Sequence, residues 1–194
     1  MAARSWHKGL VLLITVLGVV GMSVFFLLMH ETDLDNRVDF ALLNQTGERT
    51  TQQDLAGKYL LVFFGFTSCS EICPTQMGRL STVLTALDEA GYRNRVTPVF
   101  VTVDPERDTV ERISNYLQSF HRDFVGLTGS RAALEHAAQR FNTLLGQPSD
   151  SVAPGYQLAH SSVVYVVDPS SQLVDYISSD VETDLMIQRI QAFL

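Results

Sequence analysis

Apolar residues fall in blocks along this chain, and the spacing inside each block predicts an element. Residues 9–29 contain no charged side chain, a run long enough for a helix that crosses a bilayer. Residues 59–66 and 96–103 are continuous apolar runs of strand length, as expected of strands buried on both faces. Between them, Met77, Leu80, Leu84 and Leu87 recur at helical spacing after Pro74, and Gly91 fits the end of that helix. Strand, helix and strand in this order predict a parallel pair.

Shorter blocks complete the chain. Residues 38–43 read as a strand, 44–47 as a turn, 48–50 as its return arm and 52–55 as one helical turn. Asp108 is placed as the N-cap of a helix whose face is Val110, Ile113, Leu117 and Phe120. After a short apolar run at 124–127, Ser130 caps a helix that turns Leu134, Ala138 and Phe141 inward. Residues 147–155, with Pro148, Asp150 and Pro154, read as the longest loop. A strand at 162–167, a turn at 168–171 and a strand at 173–177 form a hairpin, and a last helix at 182–193 buries Met186, Ile190 and Phe193. The sum is an α/β domain, a central mixed sheet with helices on both faces.

Charge places these blocks. Arg4 and Lys8 precede the apolar run while Glu31, Asp33 and Asp35 follow it, so the positive-inside rule makes 1–8 a cytoplasmic tail, 9–29 an uncleaved transmembrane anchor, 30–37 a tether and 38–194 the domain across the membrane. The expected localisation is single-pass, with the domain on the non-cytoplasmic side: the bacterial periplasm first, the mitochondrial intermembrane space second. Beyond the tail there are 12 basic and 21 acidic residues, a net of −9, which excludes nucleic acid as a natural partner.

The only two cysteines, Cys69 and Cys73, lie between the first long strand and its helix, where loops carry function. Pro74 suits a first helical turn and pushes Cys73 out of the helical region, close to an N-cap. The free N–H groups there favour a thiolate, hence a redox or metal-binding pair. Three residues separate the cysteines, one more than in ordinary thioredoxins. Two sulfurs on one metal stand about 4 Å apart and a disulfide about 2 Å; the loop suits either, and spacing leaves a structural disulfide equally open. A metal needs a further ligand. His7 and His30 lie beside the apolar run, and His121 and His136 read as surface positions. His160 stands just before a strand, at a loop edge of the sheet.

Four blocks in order carry a resemblance: Gly65-Phe66-Thr67 before Cys69-x-x-x-Cys73-Pro74; residues 101–109, Val-Thr-Val-Asp-Pro-Glu-Arg-Asp-Thr; residues 124–129, Phe-Val-Gly-Leu-Thr-Gly; and His160-Ser161 before Tyr165-x-x-Asp168-Pro169. The chain resembles the Sco/SenC family, copper-binding proteins of thioredoxin-like fold that assist cytochrome c oxidase assembly. The resemblance implies copper ligands Cys69, Cys73 and His160, and a mainly structural role for residues 104–109. Ser68 and Ala159 depart from the family pattern, which commonly has a histidine and an acidic residue there. The implied function is a membrane-anchored copper chaperone that delivers to an oxidase subunit with a copper site, and not an enzyme in the turnover sense. Thiolates suit Cu(I), and imidazole helps to hold Cu(II). Other copper chaperones and thiol–disulfide reductases are further implied partners. The alternative is a thiol–disulfide oxidoreductase that reduces the cysteines of an oxidase subunit through Cys69 and Cys73. A peroxidase of the same fold leaves His160 without a role.

Overall fold

The computed structural model describes residues 14–25, 36–143, 145 and 163–194, which fall in two units, Met1–Arg37 and Val38–Leu194. The second unit holds β1 (Ala41–Asn44), β2 (Arg49–Thr51), β3 (Tyr59–Gly65), α1 (Ile72–Glu89), β4 (Val96–Thr102), α2 (Val110–Leu117), β5 (Val125–Thr128), α3 (Arg131–Arg140), β6 (Val163–Val167), β7 (Leu173–Ser178) and α4 (Thr183–Gln191). Its seven strands form one sheet in the order β2-β1-β5-β4-β3-β6-β7. β3, β4 and β5 are parallel, and the flanking strands pair antiparallel. This is the mixed α/β sheet the periodicity predicts.

The two continuous apolar runs are the sheet's centre. Every residue of β4 is buried, and every residue of β3 after Tyr59, because strands on both sides and helices above leave no solvent face. Their register, Phe63 beside Phe100 and Gly65 beside Thr102, ends them together. Two loops, after Gly65 and after Thr102, therefore leave the sheet side by side, where open α/β sheets bind ligands. β6 begins at that same edge, since Val164 pairs antiparallel with Phe63.

Helix α2 sits close on β5. A Cβ on Gly126 would stand 2.3 Å from a methyl of Ile113 and 2.7 Å from one of Leu117, so the strand must be bare there. Gly126→Ala is expected to lower unfolding stability by about 1–3 kcal/mol through overpacking; a urea midpoint equal to the parent's contradicts this contact.

Two predicted starts move. Helix α1 begins at Ile72, with Glu71 as N-cap, and not at Pro74. Pro74 remains in the first turn, where its missing N–H has no partner to lose. Helix α2 is capped by Thr109, whose hydroxyl accepts from the Arg112 N–H at 3.2 Å. Asp108 is therefore not the cap; its side chain goes inward. Residues 146–155 lie outside the described residues.

The membrane anchor is corrected. In the first unit the described helix covers residues 14–25. Among the described residues no helix is long and apolar enough to cross a membrane. The remaining parts of the expected span, 9–13 and 26–29, lie outside them, as do 1–8 and most of the tether. The transmembrane helix, the membrane as a partner and the single-pass localisation drawn from them are withdrawn.

Candidate dithiol site

Gly65 ends β3 and makes the space for the site. A Cβ there would meet Phe63 at 2.9 Å, the Cys73 sulfur at 3.0 Å and the Phe100 ring at 3.0 Å. The missing side chain lets a helix residue bring its sulfur against the strand end. The chain then turns, the Cys69 N–H reaching the Phe66 carbonyl at 3.1 Å, and enters α1.

Both cysteines are reduced. Cys73 is the second residue of α1, and its N–H, without an acceptor inside the helix, donates to the Cys69 sulfur at 3.3 Å. The side chain of the N-cap residue, Glu71, makes no capping bond. A sulfur four residues back thus takes the place a serine oxygen takes at an ordinary N-cap. The helix start does favour a thiolate, as the sequence implies, but at Cys69.

The two thiols differ accordingly. Burial opposes a charge on Cys69, yet hydrogen bonds from the backbone of Cys73, Glu71 and Ile72 and from the Cys73 thiol outweigh it, and the pKa is lowered from the ordinary thiol value. Burial pushes Cys73 up to about 12, with only a backbone bond from Phe66 opposing it and the hydrogen bond and charge of Cys69 and the charge of Asp108 adding to it. Cys69 is also the more accessible, 7% against 0% exposed. In the reduced domain at neutral pH, iodoacetamide is expected to label Cys69 at least about tenfold faster than Cys73, because reaction follows thiolate and access. Peptide mass spectrometry after a short pulse checks this; equal labelling contradicts the asymmetry.

Beneath the loop lies Asp108, fully buried. Its carboxylate accepts from the Thr67 N–H at 3.0 Å, the Thr67 hydroxyl at 2.5 Å and the Thr102 hydroxyl at 2.6 Å. One acid therefore ties the cysteine loop to the end of β4. Arg112 of α2 closes the outer side: Nε donates to the Thr67 hydroxyl at 2.8 Å and Nη2 to the Ser68 hydroxyl at 2.9 Å. Ser68, one of the two departures, is thus bound to the helix that Asp108 precedes. Asp104 lies under the neighbouring loop with Arg107 as its partner. Sequence reasoning assigned residues 104–109 to structure, and the geometry agrees, but it missed that Asp108 and Arg112 hold the residues just before Cys69. The available signal was a threonine at the end of each strand, Thr67 and Thr102, facing the acid-rich block.

The histidines divide. His160, His7 and His30 lie outside the described residues. His136 is exposed and bonded to Asp39 at 2.8 Å. His121 is half-buried, unlike the surface residue expected, and with Asp88 and Asp123 offers three donor atoms within 4.8 Å of one another. Arg93 and Arg122 already lie beside these carboxylates, at 3.8 and 3.6 Å, so the group ties the end of α1 to the turn before β5. Among the described residues no histidine joins the cysteines, and the only three-donor metal cluster is this one. Among the described residues the expected assembled site of two cysteines and one histidine is corrected to the cysteine pair alone, His160 lying outside them.

Fold and site together define a thioredoxin-like α/β domain with a reduced C-x-x-x-C pair at the end of its parallel strands. The family model SCO1/SenC matches residues 30–194, and the chain belongs to that family. It is 39% identical over 138 residues to the mitochondrial SCO2 homologue of Danio rerio, covering 71% of this chain and 50% of that one. The human mitochondrial SCO1 homologue is 34% identical over 137 residues, at 71% and 46% coverage, so the chain spans about half the length of these two curated relatives. The crystal structure of yeast Sco1 with copper bound superposes with TM-score 0.75 at 30% identity, covering 80% of this chain and 86% of that one.

Proposed function

We propose that this protein carries copper for the assembly of cytochrome c oxidase and that Cys69 and Cys73 supply the donors. The carrying observation is the pair of reduced sulfurs at one helix start, with Gly65 leaving room beside Cys73. Two soft thiolates suit Cu(I), whereas hard divalent ions prefer oxygen. Membership of a family with a copper-bound relative supports the same cargo. The recipient on this reading is the oxidase subunit with a copper site.

His160 is proposed only as a residue that bears on copper retention, on the strength of the resemblance. His160→Ala should weaken retention by the reduced protein, and unchanged retention removes it from the site.

A second reading has an observation of its own. An accessible thiol with a lowered pKa next to a buried one with a raised pKa is the asymmetry of an attacking and a resolving cysteine. Cys69 would attack a partner disulfide, forming a mixed disulfide and releasing one partner thiol; Cys73 would then attack the Cys69 sulfur, closing a Cys69–Cys73 disulfide and releasing the second, so that two electrons pass to the partner. Deletion in the native host separates the readings. On the copper reading oxidase activity falls, is restored by the parent and not by either cysteine variant, and recovers in part with added copper. Recovery with an added thiol reductant but not with copper favours the reductase.

A further inference from the structure

The cysteine loop is held at one end only. The Cys69 N–H reaches the Phe66 carbonyl at 3.1 Å, and Thr67 and Ser68 just before it are tied to α2. The Thr67 hydroxyl has one hydrogen, which goes to the Asp108 carboxylate at 2.5 Å. Towards Arg112 it therefore accepts, from Nε at 2.8 Å. The same guanidinium reaches on through Nη2 to the Ser68 hydroxyl at 2.9 Å, a fork that its planar, fixed donors allow. Arg112 Nε lies 3.9 Å from the fully buried Asp108 carboxylate. Opposite charges at the two ends thus polarise the hydrogen bonds between them. Ser70 and Glu71, which follow Cys69, are exposed, and the Glu71 side chain makes no capping bond.

Cys73 has no room to move. It is inside α1 and fully buried, with its sulfur 3.0 Å from the point a Cβ on Gly65 would occupy. Sulfurs that share a metal stand about 4 Å apart and those of a disulfide about 2 Å. Closing the pair therefore falls on Cys69 and on the residues next to it, which are the ones Arg112 holds. We propose that Arg112 is a positioning residue for Cys69, and that its hydrogen bond to Ser68 is made in the dithiol and broken in the disulfide. Arg112 then favours the open pair, the form able to take a metal. The inference rests on the pair being able to close, which the reductase reading requires and the copper reading permits.

The full chain is equilibrated anaerobically with mixtures of reduced and oxidised glutathione, as parent, Arg112→Ala, Ser68→Ala and the double variant. Two protein thiols pass two electrons to glutathione disulfide, so that the Cys69–Cys73 bond forms and two glutathione thiols are released. Alkylation and mass spectrometry read the fraction closed. Each single variant is expected to raise the equilibrium constant for closure about fivefold or more, the scale of a hydrogen bond to a charged group at a partly exposed site. The double variant should match Arg112→Ala, because the two changes remove one contact. The melting midpoint should fall in the reduced form and stay at the parent's in the disulfide form. Constants within about twofold of the parent's overturn the proposal, as does a double variant whose change is the product of the two singles. Midpoints that fall alike in both forms also overturn it, since Arg112 would then be structural. A parent that never closes overturns the inference and leaves copper carriage standing.

Discussion

Cys69→Ser and Cys73→Ser are each expected to empty the protein of copper, from about one ion per chain to almost none after desalting against a Cu(I) chelator. A serine hydroxyl stays neutral at pH 7 and is a hard donor, so either change leaves one soft anionic ligand. Neither change should unfold the domain. Cys69 acts as a cap through its sulfur, and a serine oxygen can accept the same Cys73 N–H. Cys73→Ser places a hydroxyl in a fully buried site, at a cost of about 1–3 kcal/mol if it finds no partner. Metal analysis beside far-UV circular dichroism checks both. Copper retained by a folded single variant contradicts the two-thiolate site.

Asp108→Ala has the largest expected effect on stability. The carboxylate serves three donors at 3.0, 2.5 and 2.6 Å with no exposure. Removing it leaves the Thr67 N–H and two hydroxyls without their acceptor at about 1–3 kcal/mol each, less what water and relaxation recover. A loss of about 3–4 kcal/mol is expected, a large part of the roughly 5–15 kcal/mol that holds a domain folded. Asp108→Asn keeps one acceptor oxygen and should lose about half as much. Urea denaturation decides, and a midpoint for Asp108→Ala near the parent's removes the clamp. Because Thr67 is two residues from Cys69, the Asn variant should also label differently at Cys69 with iodoacetamide.

Asp108 shows what could be read from the sequence and what could not. An aspartate before a helical pattern reads as a cap, and nothing local says that Thr109 can cap as well. Once Thr109 takes that role, Asp108 is free to turn under a strand end about 40 residues away, Thr67, a contact set by the parallel register of β3 and β4. The parallel pairing itself was legible, because a strand, a helix and a second strand buried on both faces have few other arrangements. The start of α1 was less so. A proline is allowed anywhere in a first turn, so Pro74 constrained that start without fixing it, and the helix takes two more residues, Ile72 and Cys73.

That small shift moved the chemistry. With Cys73 inside the helix, the favoured thiolate passes to Cys69 through a bond that spans the loop. The cysteine pair was legible as a pair, since no other thiol exists in the chain. The apolar N-terminal run was misread. Composition predicted a span across residues 9–29, and among the described residues no helix is long and apolar enough to cross a membrane.

One titration weighs the copper site against the alternatives. The domain is prepared fully reduced and, separately, with Cys69 and Cys73 closed into a disulfide, and each form is titrated anaerobically with Cu(I) against a chelator of known affinity. The disulfide removes both anionic sulfurs, so the reduced form should hold about one copper per chain and the oxidised form none that survives the competition. Equal copper uptake by the two forms, or none by the reduced one, contradicts a site built on Cys69 and Cys73.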